Sequence, residues 1–195
     1  MRGNGLAAAL ASAIQSSSNS LRPEGPPLTC FYDQKCLDDG EELDVAVSHG
    51  LSLASLMVVV VSQGVVDALQ FAPRRRDSNL LQWECITERL RMGDCLCLPV
   101  FVGDVRYTPS EIPDAGHYAS GISVRASALP ILCLPSVTVG AGSEGGFPAA
   151  DLERAAATAC GMLQAGDPSQ AAPRRATGRV RPFPRAGVGP DPAPA

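Results

Sequence analysis

The sequence predicts an α/β fold in which a parallel sheet is buried between helical layers, and three features carry that prediction. Leu56 to Val61 (LMVVVV) and Cys95 to Val102 (CLCLPVFV) are apolar without alternation. A strand that is apolar on both faces belongs to a sheet covered on both sides. Between the two runs, Leu80, Trp83, Ile86, Thr87 and Leu90 recur at helical spacing, so the order is strand, helix, strand. That order at this spacing is a βαβ unit with parallel strands.

The remaining elements follow in chain order. Residues 1–18 read as an Ala-rich helix with Leu6, Leu10 and Ile14 on one face, or alternatively as a weakly apolar signal peptide. LRPEGPP at 21–27 stops that helix with prolines and a glycine. Leu28 to Tyr32 is predicted as a short strand, and Asp33 to Glu42 as a polar loop. Leu43, Val47, Leu51 and Ala54 then mark an amphipathic helix. Ser62 to Ser78 is predicted as a loop carrying the basic run Arg74, Arg75 and Arg76. Gly93 and Asp94 end the helix that begins near Asn79. Tyr107 to His117 reads as a loop, and Leu129 to Val139 as one more strand, limited by Pro130 and Pro135. Asp151 to Gln164 reads as an Ala-rich helix with acids at its start.

The predicted organisation is therefore a helix and loop over 1–27, a core over 28–139, a linker and C-terminal helix over 140–165, and a tail over 166–195. The tail holds seven of the 17 prolines and five arginines, a composition that predicts disorder. Composition also narrows the function. A net charge of −4 gives no global attraction to nucleic acid. No stretch reaches 18 apolar residues, so no membrane span is expected. The seven cysteines lack zinc spacing and are odd in number, so no metal is expected and a reducing, cytoplasmic setting fits best. His117 has no Ser or Cys motif that would suggest a nucleophilic triad. The Arg74–Arg76 run reads as a solvated turn rather than a phosphate site, in a chain where arginine is the cation of choice throughout.

Several of these segments together resemble the Toll/interleukin receptor (TIR) domain family, in its algal and protist form. Phe31-Tyr32-Asp33 with Leu37, Gly40 and Leu43 is similar to a second strand and its loop. Ser55 with LMVVVVS is similar to the third strand, NLLQWE to the start of the third helix, and LCLPVFVG to the fourth strand. IPDAGH at 112–117 follows in the same order. The resemblance implies a flavodoxin-like three-layer parallel sheet and signalling through contact with other TIR domains, with a homo-oligomer as the working form. It further implies, for some members, cleavage of NAD⁺ to nicotinamide and an ADP-ribose product, with NAD⁺ as substrate rather than cofactor. The family opens with a strand that lies mid-sheet, whereas this chain matches from the first helix. An N-terminally truncated domain is thus expected.

The resemblance places the catalytic carboxylate at Glu84, and the dinucleotide site at Trp83 with Asp33, Leu37 and Gly40 of the polar loop. From the residues alone Glu84 reads as a helix carboxylate next to a buried face. Trp83 reads as core among Leu80, Ile86 and Leu90. The acidic loop from Asp38 to Asp44 lacks the spacing of a calcium loop, and Cys36 within it is the thiol expected at the surface. A non-enzymatic adaptor that associates through the 33–42 loop is the second function the sequence predicts.

Overall fold

The computed structural model describes residues 3–21, 28–31, 49–74, 78–118, 120–141 and 146–165. Three strands form one parallel sheet in the order β1 (Leu56–Val61), β2 (Leu96–Val102), β3 (Val137–Val139). Helix α1 (Gly3–Leu21) precedes the sheet. Helices α2 (Gln63–Leu69) and α3 (Ser78–Met92) connect β1 to β2. Helix α4 (Val124–Leu132) connects β2 to β3, and α5 (Ala149–Ala165) follows β3. This is the expected α/β architecture: an all-parallel sheet flanked by helices on both faces, consistent with a flavodoxin-like arrangement.

Alternation along the strands sorts the core into two halves. Met57, Val59, Val61 and Cys97 face α2, α3 and α4, where they meet Val66, Leu69, Trp83, Ile86, Val124 and Ile131. Leu98, Val100, Val137 and Val139 face the other way, onto Leu6, Leu10 and Ile14 of α1 and Ala155, Ala156 and Ala159 of α5. The small residues of α5 let it approach α1 and the sheet closely. The apolar runs of the sequence are thus explained by burial on both sides.

Pro99 sits inside β2, opposite Val59, although proline cannot donate to a ladder. The amide of Leu96 bonds back to Ser55 beside β1, and that of Gly103 bonds across to Val139 of β3. Successive amides alternate sides, so position 99 points toward β3. There β3 begins only opposite Val100, and no strand residue stands across from Pro99. The proline occupies the one kind of slot in β2 that needs no donor.

Three sequence expectations are corrected. Residues 28–31 form no strand: Leu28 and Cys30 pack instead against the α1/α5 half of the core, with Cys30 Sγ 3.8 Å from the Ala11 carbonyl. Tyr32 lies outside the described residues. The stretch expected as a 62–78 loop contains α2, capped by Ser62, whose hydroxyl accepts from the Val65 amide. The expected strand over 129–139 is the end of a helix at 129–132 and is extended only at Val137–Val139. Ser123 caps α4 at its start, and an exposed Pro130 is carried in its last turn beside buried Ile131 and Leu132. Of the amphipathic helix expected from Leu43, residues 49–53 are helical and 43–48 lie outside the described residues. The 166–195 tail lies outside them as well. Among the described residues β1 pairs with β2 alone.

Candidate functional site

Glu84 is placed by the periodicity of α3. Leu80, Trp83, Ile86 and Thr87 turn into the core, and the Thr87 hydroxyl donates to the Ser127 carbonyl of α4 at 2.9 Å. Glu84 lies on the flank of this buried stripe and its carboxylate is covered by the turn that precedes α4. Its side chain is only 8 % exposed.

The covering turn owes its shape to two glycines. Gly116 pairs with Ser123 in an antiparallel bridge, and a Cβ on Gly116 would stand 2.7 Å from the Gly121 carbonyl oxygen. Gly121 itself has φ +73°, a conformation that side-chain-bearing residues adopt at a cost. The His117 amide donates to the Ile122 carbonyl at 2.7 Å, and the Gly121 amide to the His117 carbonyl at 2.8 Å. This tight turn delivers two side chains to the carboxylate. The Ser120 hydroxyl donates to Glu84 Oε1 at 2.7 Å, and Nδ1 of fully buried His117 lies 3.8 Å from the same oxygen. The Ile122 amide donates in turn to Ser120 Oγ at 3.2 Å.

Burial pushes the Glu84 carboxyl above its ordinary value, against the opposing pull of the Ser120 hydroxyl and, less, of His117. The folded chain holds this proton more tightly than the unfolded chain, so stability falls as pH rises from the ordinary carboxyl range through the raised folded value. Glu84→Gln keeps an acceptor for Ser120 and removes the charge. It is therefore expected to stabilise the chain at pH 7 and to lose that advantage as pH falls toward 4. Urea midpoints across this range, read by circular dichroism, test it; a variant less stable than wild type at pH 7 would contradict it. Neighbouring Cys85 is held as a thiol by its own burial and then by Glu84.

On the other flank of α3 a cavity of about 210 Å³ opens at the carboxyl end of β1, where ligands of parallel sheets bind. Ser62, Gly64, Ala68, Asn79, Leu80 and Trp83 line it. Its volume is below the roughly 300–1,000 Å³ of sites that engulf a whole ligand. A single ring with a polar substituent fits; a dinucleotide would extend beyond it.

Of the residues expected at the site, the structure sets Glu84 and Trp83 side by side on α3. Trp83 is 5 % exposed and serves both as core and as cavity wall. Asp33, Leu37 and Gly40 lie outside the described residues, as does Cys36. Arg74 is the exposed end of a 3-10 turn (Ala72–Arg74) that buries Ala72, and Arg75 and Arg76 are outside the described residues. Sequence reasoning missed Ser120 and His117. The signal that could have found the turn is its pair of glycines, Gly116 and Gly121, just before the Ser123 cap; nothing local pointed from that turn to Glu84. Among the described residues no three His, Cys, Asp or Glu side chains converge as a metal site. No helix there is long and apolar enough to cross a membrane. Comparison with protein-family models, curated proteins and solved structures finds no match to this chain.

Proposed function

We propose that this chain is a TIR-like signalling domain that cleaves the N-glycosidic bond of NAD⁺, with Glu84 as the catalytic carboxylate. The observation that carries the reading is a carboxylate sequestered to 8 % exposure on α3, the helix that leads into β2, and held there by a hydroxyl donor from the turn before α4. A surface glutamate would have no need of such cover.

In the reaction the bond between ribose C1′ and the nicotinamide nitrogen breaks. The bonding pair leaves with nicotinamide and neutralises its pyridinium charge. Positive charge develops on the ribose as an oxocarbenium ion, which the ionised Glu84 stabilises in a poorly solvated setting. Water then adds at C1′ and loses a proton, giving ADP-ribose.

The test is nicotinamide release from NAD⁺ by concentrated protein, with Glu84→Gln in parallel and circular dichroism on both. Release by wild type and a loss of about 10²–10³-fold in the variant is expected, in line with removal of one transition-state charge partner. Equal turnover by the two proteins would remove Glu84 from the site. Silence from folded wild type would remove the activity.

One observation favours the adaptor reading in that event. Tyr118 and Ile122, on the turn that covers Glu84, are 75 % and 48 % exposed. Apolar groups offered to solvent on a tight turn suit contact with another chain. Self-association sensitive to replacement of the 33–42 loop, without NAD⁺ turnover, is what that reading expects.

A further inference from the structure

The Ser120 contact adds a role to the site, and it rests on the assignment of Glu84 above. We propose that Ser120 is a positioning residue: its hydroxyl holds Oε1 of Glu84 in a fixed, ionised orientation and leaves the second carboxylate oxygen for the ribose.

Three features carry this. The hydroxyl-to-carboxylate distance of 2.7 Å is that of a charge-assisted bond. The serine is itself oriented, because its oxygen accepts from the Ile122 amide at 3.2 Å. A hydroxyl that accepts there and has a carboxylate as its other neighbour must point its single proton at Glu84. The turn that presents it is built with two glycines, one at positive φ and one where a Cβ has no room. An oriented donor behind a catalytic group is the usual way such a group is held to its working geometry.

The contact also bears on the charge state, as a partial offset to burial. Burial alone favours the protonated acid, which could not stabilise an oxocarbenium ion, and the hydroxyl works against that burial. The titratable groups near the carboxylate are His117 on the same turn and Cys85 beside it on α3. Glu88, one turn on, is exposed and pairs with Arg91 at 3.5 Å. From α4, Arg125 is turned away, toward the Ile112 carbonyl at 2.9 Å and Asp114 at 3.5 Å. From β2, Cys97 is a buried thiol pushed up to about 12.

The experiment compares wild type, Ser120→Ala and Ser120→Thr by two readouts. The first is the titration midpoint of the Glu84 carboxyl by ¹³C NMR, identified by its absence in Glu84→Gln. The second is the pH profile of kcat/KM for NAD⁺ cleavage. Ser120→Ala is expected to move the Glu84 midpoint upward and to shift the acid limb of the profile with it. That gives a several-fold loss of kcat/KM on the acid side, and Ser120→Thr restores both. An unmoved Glu84 midpoint in folded Ser120→Ala overturns the proposal, whatever happens to stability. A moved midpoint with no NAD⁺ cleavage by any of the proteins keeps the hold of Ser120 on Glu84 and overturns the activity instead. Should the alanine variant unfold, a midpoint in Ser120→Thr equal to wild type supports the role of the hydroxyl, and a displaced one counts against it.

Discussion

Trp83→Ala is expected to cost about 3–5 kcal/mol, the range for a large aromatic cut back to a methyl in a packed core. Trp83 is 5 % exposed and packs in the same half of the core as Leu80, Ile86, Val66 and Leu69. The space it vacates would join the 210 Å³ cavity it now walls, so the neighbours have little to collapse onto. Against the 5–15 kcal/mol that holds most domains together, that loss leaves little margin. Trp83→Phe keeps most of the ring and is expected to cost less than half as much. Urea unfolding followed by circular dichroism measures both, since the chain has a single tryptophan and these variants have none. A loss below 1 kcal/mol for the alanine variant would mean that Trp83 is not part of the core.

Arg89→Met is expected to cost about 2–4 kcal/mol, through carbonyls left without donors. Arg89, near the end of α3, has a side chain 15 % exposed. Its Nη1 donates to the carbonyls of Leu51 and Ala54, the latter at 2.9 Å, where the helical segment 49–53 ends. Its Nε and Nη2 donate to the Asp94 carboxylate at 3.0 Å and the Asp94 carbonyl at 3.2 Å. One guanidinium thus ties two helix ends and the entry to β2 together. These carbonyls are part-buried, so each left unmade falls toward the lower end of about 1–3 kcal/mol, and methionine preserves only the packing of the stem. Arg89→Lys keeps the charge but not the fork, and should recover less than half of the loss. Asp94→Ala tests the remaining share. The carboxylate is 42 % exposed, so the ion pair itself should contribute under 1 kcal/mol. Equal midpoints for Asp94→Ala and Arg89→Met would show that the ion pair, not the carbonyls, is what Arg89 provides.

Much of the fold was legible because burial on both faces leaves a plain mark. Leu56–Val61 and Leu96–Val102 could be read as strands of a covered parallel sheet, and the 79–92 periodicity as the helix between them. The elements that escaped are short or carry a misleading residue. Helix α2 has too few residues for a period to show, and only the Ser62 cap announces it. Leu129 to Val139 reads as a strand limited by Pro130, yet Pro130 lies inside α4, where Ser123 at the start and the Tyr107 hydroxyl on the Leu132 carbonyl at 2.9 Å hold that helix at both ends. Leu28 to Phe31 has the composition of a strand and none of its ladder. Pairing of a strand is a property of its neighbours. The site divides the same way. Glu84 was visible as a carboxylate beside Trp83, whereas its contact with Ser120 spans 36 positions and is created by how the turn before α4 closes. No local pattern encodes such a meeting.

The packing of α1 against α5 has a consequence for how this chain is made. The Cys160 thiol reaches the Ile14 carbonyl at 3.8 Å, so one face of the sheet is completed by segments 146 positions apart. The face formed by α2, α3 and α4 draws on residues that follow one another and can assemble as they leave the ribosome. Helix α1, synthesised before the sheet it covers, waits for its partner until residue 165 has emerged. During that interval Leu6, Leu10, Val100 and Val139 remain uncovered by α5. Closure of so long a loop is the slow, aggregation-exposed step of folding. Nascent chains halted before Ala149 should accordingly require chaperone protection that chains released after Ala165 do not.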